Sequence, residues 1–111
     1  MSVKKGELIW VDFNPARGHE QQKRRPALVV SADIFNARMG GLAWVVPVTS
    51  KIKGRPDEIE LPPGLPVEGA LLFSQLRSLD LTARGYESVG FVPDDFMDDE
   101  VSGRLIAVLE E

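Results

Sequence analysis

The chain has no cysteine, so neither a disulfide nor a thiolate metal site can hold it together. Its single histidine, His19, would leave a zinc ion dependent on carboxylates and water, an uncommon donor set. One histidine also excludes the paired-histidine arrangement that acid–base cleavage of RNA often uses. No apolar run approaches the length of a membrane span or signal segment, and the opening MSVKKG leads straight into a strand-like stretch. A soluble, cytoplasmic protein without membrane contact is the expectation. The sequence contains no G-x-S-x-G elbow, no glycine-rich phosphate loop and no cluster with metal-ligand spacing. Internal repeats and low-complexity segments are also missing.

What remains is ordinary globular material. A length of 111 residues, with 43% hydrophobic and 27% charged, suits one domain over residues 1–111 with a real core and does not suit a disordered chain. The net charge of −4 argues at first against a nucleic-acid partner, but the charges are unevenly spread. Residues 1–55 carry ten Lys/Arg against four Asp/Glu, and residues 56–111 carry three against thirteen. A local positive field can attract phosphate whatever the total; the alternative is two differently solvated faces with no charged partner.

Short strands dominate the pattern. Residues 8–13 (LIWVDF) are β-branched and aromatic and end at Asn14-Pro15, which predicts a first strand. Residues 16–24 are polar and predict an exposed loop. Pro26 opens the apolar run 27–31, a second strand, and residues 33–36 fit one helical turn capped by Ser31 or Asp33, broken by Gly40-Gly41. Residues 43–49 (AWVVPVT) form a third strand, with Pro47 implying an edge or bulge. A basic loop over 51–57 follows, then an alternating strand at 58–61, a turn at Pro62-Pro63-Gly64, and a strand over 69–73 that residues 75–79 continue. Residues 88–92 make a last strand. Beyond Pro93 the spacing of Met97, Val101, Leu105 and Val108 predicts an amphipathic helix, with Asp94 and Asp95 at its start and Gly103 costing about 1 kcal/mol inside it. The sum is a mainly β protein, a small bent sheet or barrel closed by a C-terminal helix. Trp10 and Trp44 lie inside apolar strands and are read as core residues rather than as platforms for bases.

Residues 6–31, GELIWVDFNPARGHEQQKRRPALVVS, resemble the opening of the MazF/PemK toxin family. The resemblance continues through VPVTSK at 46–51, the KGRP that follows, and SQLRSLD at 74–80. It implies an SH3-like barrel of the CcdB/MazF type that forms a homodimer, with single-stranded RNA lying across the dimer groove and a cognate antitoxin as partner. The implied activity is that of a type II toxin: a metal-independent mRNA interferase that needs no cofactor. The arginine before the proline of the second strand matches Arg25, and the threonine after Val-Pro-x matches Thr49; the resemblance makes these the catalytic pair. The loop glutamate before the glutamine matches Glu20, followed by Gln21.

Those roles are chemically reasonable. An RNA strand supplies its own nucleophile in the 2′-OH, so the protein has mainly to orient it and stabilise charge on the phosphate oxygens. A guanidinium offers a fork of donors that fits phosphate bidentately, the role assigned to Arg25. Thr49 can donate a hydroxyl hydrogen bond to the same phosphate. Glu20 is the candidate for activating the 2′-OH, or else it ties down its loop through a neighbouring cation. Gln21, Lys23, Arg24, Lys51 and Lys53 are candidate RNA contacts, against the plain alternative that loop cations are simply solvated. Gln75 and Arg77 are expected to line the groove. Ser74 stands where the family often has an aspartate before the glutamine, which bears on base preference more than on activity. The rival expectation is a non-enzymatic toxin of the CcdB type that shares the barrel but binds gyrase; Arg25 and Thr49 in their motifs favour the nuclease.

Overall fold

A computed structural model describes residues 2–13 and 24–110. Among these residues seven strands form one antiparallel system: β1 (Glu7–Asp12), β2 (Arg24–Val29), β3 (Leu42–Thr49), β4 (Glu58–Glu60), β5 (Ala70–Leu72), β6 (Arg77–Asp80) and β7 (Glu87–Phe91). The strand order is β4-β5-β3-β2-β1-β7, with β6 paired to β3 beside β5. Three short helices accompany them: α1 (Asp33–Arg38), α2 (Leu81–Arg84) and α3 (Gly103–Leu109).

The central strands read as nearly continuous apolar runs because both faces of the sheet are covered. One cluster gathers Leu8, Leu28, Val46, Val48, Leu71, Met97 and Val101 among others. The other gathers Ile9, Val11, Ala27, Val29, Val45 and Leu79. Neighbours along each strand therefore go to opposite cores, each fully buried aliphatic side chain contributing about 1.5–3 kcal/mol.

Several expectations need correction. β2 begins at Arg24, not after Pro26, because β1 is long enough to pair Asp12 with Arg24 and Val11 with Arg25. Pro47 marks neither an edge strand nor a bulge. β3 is central, and on one flank it changes partner, from β6 at Leu42 to Val45 to β5 at Val48 and Thr49. Pro47 sits at that changeover, an interruption that tolerates a residue without an N–H. Residues 75–79 do not continue the preceding strand, since a 3₁₀ turn over Phe73–Gln75 separates β5 from β6.

The helical turn after β2 is present, but neither Ser31 nor Asp33 caps it; the N-cap position is Ala32, without a side-chain bond. The Ser31 hydroxyl instead donates to the buried Asn36 amide oxygen and accepts from the Trp44 N–H at 2.9 Å. The Asp33 carboxylate accepts from the Lys5 N–H at 2.7 Å. At the C-terminus Asp95 accepts from the Phe96 N–H, and Phe96–Ser102 winds as a wide π-helical segment before α3. Only the first half of the predicted stripe is buried: Met97 and Val101 enter the core, whereas Val108 is 74% exposed. Trp44 is not a core residue either; it is 45% exposed and meets Phe35 edge-on at 5.6 Å.

Candidate active site

The ends of β2 and β3 build the site. Their register pairs Val29 with Val45, Leu28 with Val46, and Ala27 with Pro47. Continued two residues past the last pair, the same register sets Arg25 across from Thr49 on one face of the sheet. Both residues line an open groove of about 470 Å³, together with Trp10, Arg24, Lys51 and Glu68. That is room for a small ligand or one segment of an extended chain.

Arg25 is exposed and has no hydrogen-bond or ion-pair partner among the described residues, so its fork of donors is available to an anion. Thr49 is half-buried. Its Oγ1 accepts from the Lys51 N–H at 3.1 Å, a local turn that fixes the side chain. That contact uses the oxygen only as acceptor, and among the described residues no group takes the hydroxyl proton, which can be donated. On the far side, Gly69 holds the β5 entry against Thr49. With φ +136°, a Cβ there would lie 2.2 Å from the Thr49 carbonyl oxygen.

The other predicted residues separate into groups. Lys51 lines the groove and is exposed. Arg24 also lines it, yet its guanidinium is engaged, donating to the Trp10 carbonyl at 3.3 Å and facing the Glu87 carboxylate at 3.5 Å. Lys53, Gln75 and Arg77 do not line this groove. The Lys53 N–H is held by the Glu58 carboxylate. Arg77 lies over the Phe13 ring at 5.5 Å, opposite Val45 on the other flank of β3. Gln75 is exposed in the 3₁₀ turn on that same flank. Glu20, Gln21, Lys23 and His19 lie outside the described residues.

Trp10 and Glu68 are among the lining residues that the sequence did not place at the site. Trp10 was expected in the core, but it lines the groove from within β1 and is only half-buried. Glu68 carried no signal beyond its position before Gly69. Among the described residues no group of three or more His, Cys, Asp or Glu converges to hold a metal ion, and no helix is long and apolar enough to cross a membrane.

Residues 4–109 match the family of PemK-like, MazF-like toxins of type II toxin-antitoxin systems. The chain belongs to this family. It is 41% identical to the endoribonuclease toxin MazF of Escherichia coli K12 over 78% of its own length and 77% of that protein's. It is 37% identical to the Escherichia coli endoribonuclease PemK over 96% of its length and 82% of that chain. Among solved structures, MazF from Deinococcus radiodurans superposes with a TM-score of 0.83 at 41% identity, covering 100% of this chain and 99% of that one. A MazE–MazF structure from the same organism gives 0.86 at 42%, with 98% and 96% covered. The fold of this MazF/PemK-family chain is accordingly the SH3-like, CcdB/MazF-type barrel, mainly β with a C-terminal helix, and its family is one of endoribonuclease toxins.

Proposed function

We propose that this chain is a metal-independent, sequence-selective endoribonuclease that cuts single-stranded RNA, mRNA included, by attack of the 2′-OH on the adjacent phosphorus. The observation that carries the reading is the shared groove of Arg25 and Thr49, neither of whose side-chain donors has a partner among the described residues. As the 2′-oxygen bonds to phosphorus, negative charge gathers on the non-bridging oxygens. The Arg25 fork and the Thr49 hydroxyl neutralise that charge, and one such donor is worth about 2.7–4 kcal/mol in a related oxyanion site. Glu20 takes the 2′-OH proton. The bond to the 5′-oxygen breaks, and a proton from water completes the 5′-hydroxyl product, leaving a 2′,3′-cyclic phosphate on the other fragment. Lys51 and Arg24 extend the positive wall along the strand, with Gln21, Lys23, Lys53, Gln75 and Arg77 as further RNA contacts.

Unstacked single strands suit such a site because their base edges can be read. The active unit is a homodimer in the cytoplasm, with RNA crossing between protomers. A cognate antitoxin silences it by laying an acidic segment over the basic first half of the chain. The MazE–MazF relative is consistent with such a partner, and the endoribonuclease names of the curated relatives weigh against the gyrase-binding alternative. The test is digestion of a long unstructured RNA by purified protein in EDTA. Fragments with 5′-hydroxyl and cyclic-phosphate ends are expected, and RNA left intact would refute the proposal.

A further inference from the structure

The loop that follows Thr49 is braced along its whole length. At its start Lys51 N–H donates to Thr49 Oγ1 at 3.1 Å. In its middle the Glu58 carboxylate accepts from the N–H groups of Lys53 at 3.1 Å and Gly54 at 2.9 Å. At its end stands Asp57, which reaches the other way. One carboxylate oxygen of Asp57 accepts from the Ser74 hydroxyl, and its backbone carbonyl accepts from the Phe73 N–H at 2.9 Å. Arg55 grips the same carboxylate with two nitrogens, Nε at 3.2 Å and Nη2 at 3.3 Å. Phe73 and Ser74 are the first two residues of the 3₁₀ turn whose third residue is the exposed Gln75.

We propose that Asp57, gripped by Arg55 and joined to Ser74, is a positioning residue for base selection: it locks the turn bearing Gln75 to the loop that begins at Thr49. The inference rests on the ribonuclease reading above and deepens it. A glutamine amide carries a donor and an acceptor side by side, the pattern that reads a base edge, but only when the backbone beneath it is held still. The turn is rooted in the core through Phe73, which leaves its outer residues, Ser74 and Gln75, exposed. It spans only three residues, between β5, which pairs with Thr49, and β6, which pairs with Val45. The Asp57 side-chain and backbone contacts pin two successive residues of it. The hydrogen bond and the Arg55 charge both hold the Asp57 carboxyl below its ordinary pKa, so the clasp is intact at neutral pH.

The test is one long RNA cut by wild type and by Ser74→Ala, Asp57→Asn and Ser74→Thr, with thermal melting as the fold control. Mapped 5′ ends report the ratio of cutting at the preferred site to cutting at sites one base different. Ser74→Ala and Asp57→Asn are expected to keep cutting while this ratio falls by about tenfold, and Ser74→Thr, which keeps the hydroxyl, is expected to retain the wild-type ratio. Should one variant fail to fold, the double swap Ser74→Asp with Asp57→Ser restores the pairing from the other side and is expected to restore the ratio. Folded variants with an unchanged ratio would overturn the inference, as would an equal loss at all sites, which marks a merely structural contact. An inactive wild type would bring down the ribonuclease reading and this inference together, whereas an active wild type with unaltered variants brings down the inference alone.

Discussion

Gly69 lies so close to Thr49 that a single added methyl would sit 2.2 Å from the Thr49 carbonyl oxygen and 3.0 Å from a Val48 methyl. Neither neighbour can yield cheaply, since the first is backbone paired to β5 through Ala70. Gly69→Ala is therefore expected to cost about 2–4 kcal/mol, from overpacking and the positive φ together. Because β3 must shift to make room, RNA cleavage should fall by about tenfold or more even at temperatures where the variant is folded. Thermal melting and a cleavage assay below the melting transition check both parts.

Arg25 offers a cleaner separation of activity from stability. It is exposed and has no partner among the described residues, so Arg25→Ala should change folding stability by no more than about 0.5 kcal/mol. Cleavage is expected to drop by about 100-fold to 1000-fold. Arg25→Lys keeps the charge without the planar fork and should fall between the two. Single-turnover rates with melting curves test the ordering, and equal rates for alanine and wild type would remove Arg25 from the chemistry.

Thr49 can be divided into its hydroxyl and its methyl. Thr49→Ser retains the donor to phosphate and the acceptor for the Lys51 N–H, so activity within about threefold of wild type is expected. Thr49→Val keeps the shape but loses both, and its rate should fall by about 100-fold. A valine variant as active as the serine variant would show that the hydroxyl is not used.

Asp57 gives a pH prediction with a definite sign. Its folded-state pKa is lowered from 3.8 chiefly by the Ser74 hydrogen bond, with the Arg55 charge assisting. A depressed carboxyl stabilises the fold above the unfolded-state value, and that stabilisation is lost as pH falls through the folded-state value. Melting temperatures of wild type and Asp57→Asn should therefore converge on acidification below about pH 4 and stay separated at neutral pH.

Gly103 should behave in the opposite direction. It is exposed, has ordinary helical angles, and a Cβ there would meet only the Asp98 carbonyl oxygen at 3.9 Å. Gly103→Ala is expected to stabilise by about 0.5–1 kcal/mol and to leave cleavage unchanged, as melting and activity measurements can show.

The strands were readable in the chain itself because they depend on near neighbours. Alternation at Glu58-Ile59-Glu60, the apolar run at Ala27-Leu28-Val29 and the change of period after Pro93 all report which side chains can be buried by a local backbone path. Arg25 before Pro26 and Thr49 after Val-Pro-Val were singled out by their match to a family pattern, not by burial or periodicity. The α1 cap failed because Ser31 found a stronger use in the buried Asn36 network, which no neighbour of Ser31 announces.

By itself, then, the amino-acid sequence determined the mainly β character, the turns, and which arginine and which threonine to consider. Tertiary structure alone decided that those two share a groove, that Glu68 and Trp10 stand beside them, and that Asp57 reaches Ser74 across 17 positions of chain. The physical reason is that cross-strand register and the change of partner along β3 follow from packing summed over both faces of the sheet. That sum is a property of the whole sheet with both its faces covered and is carried by no single stretch of residues.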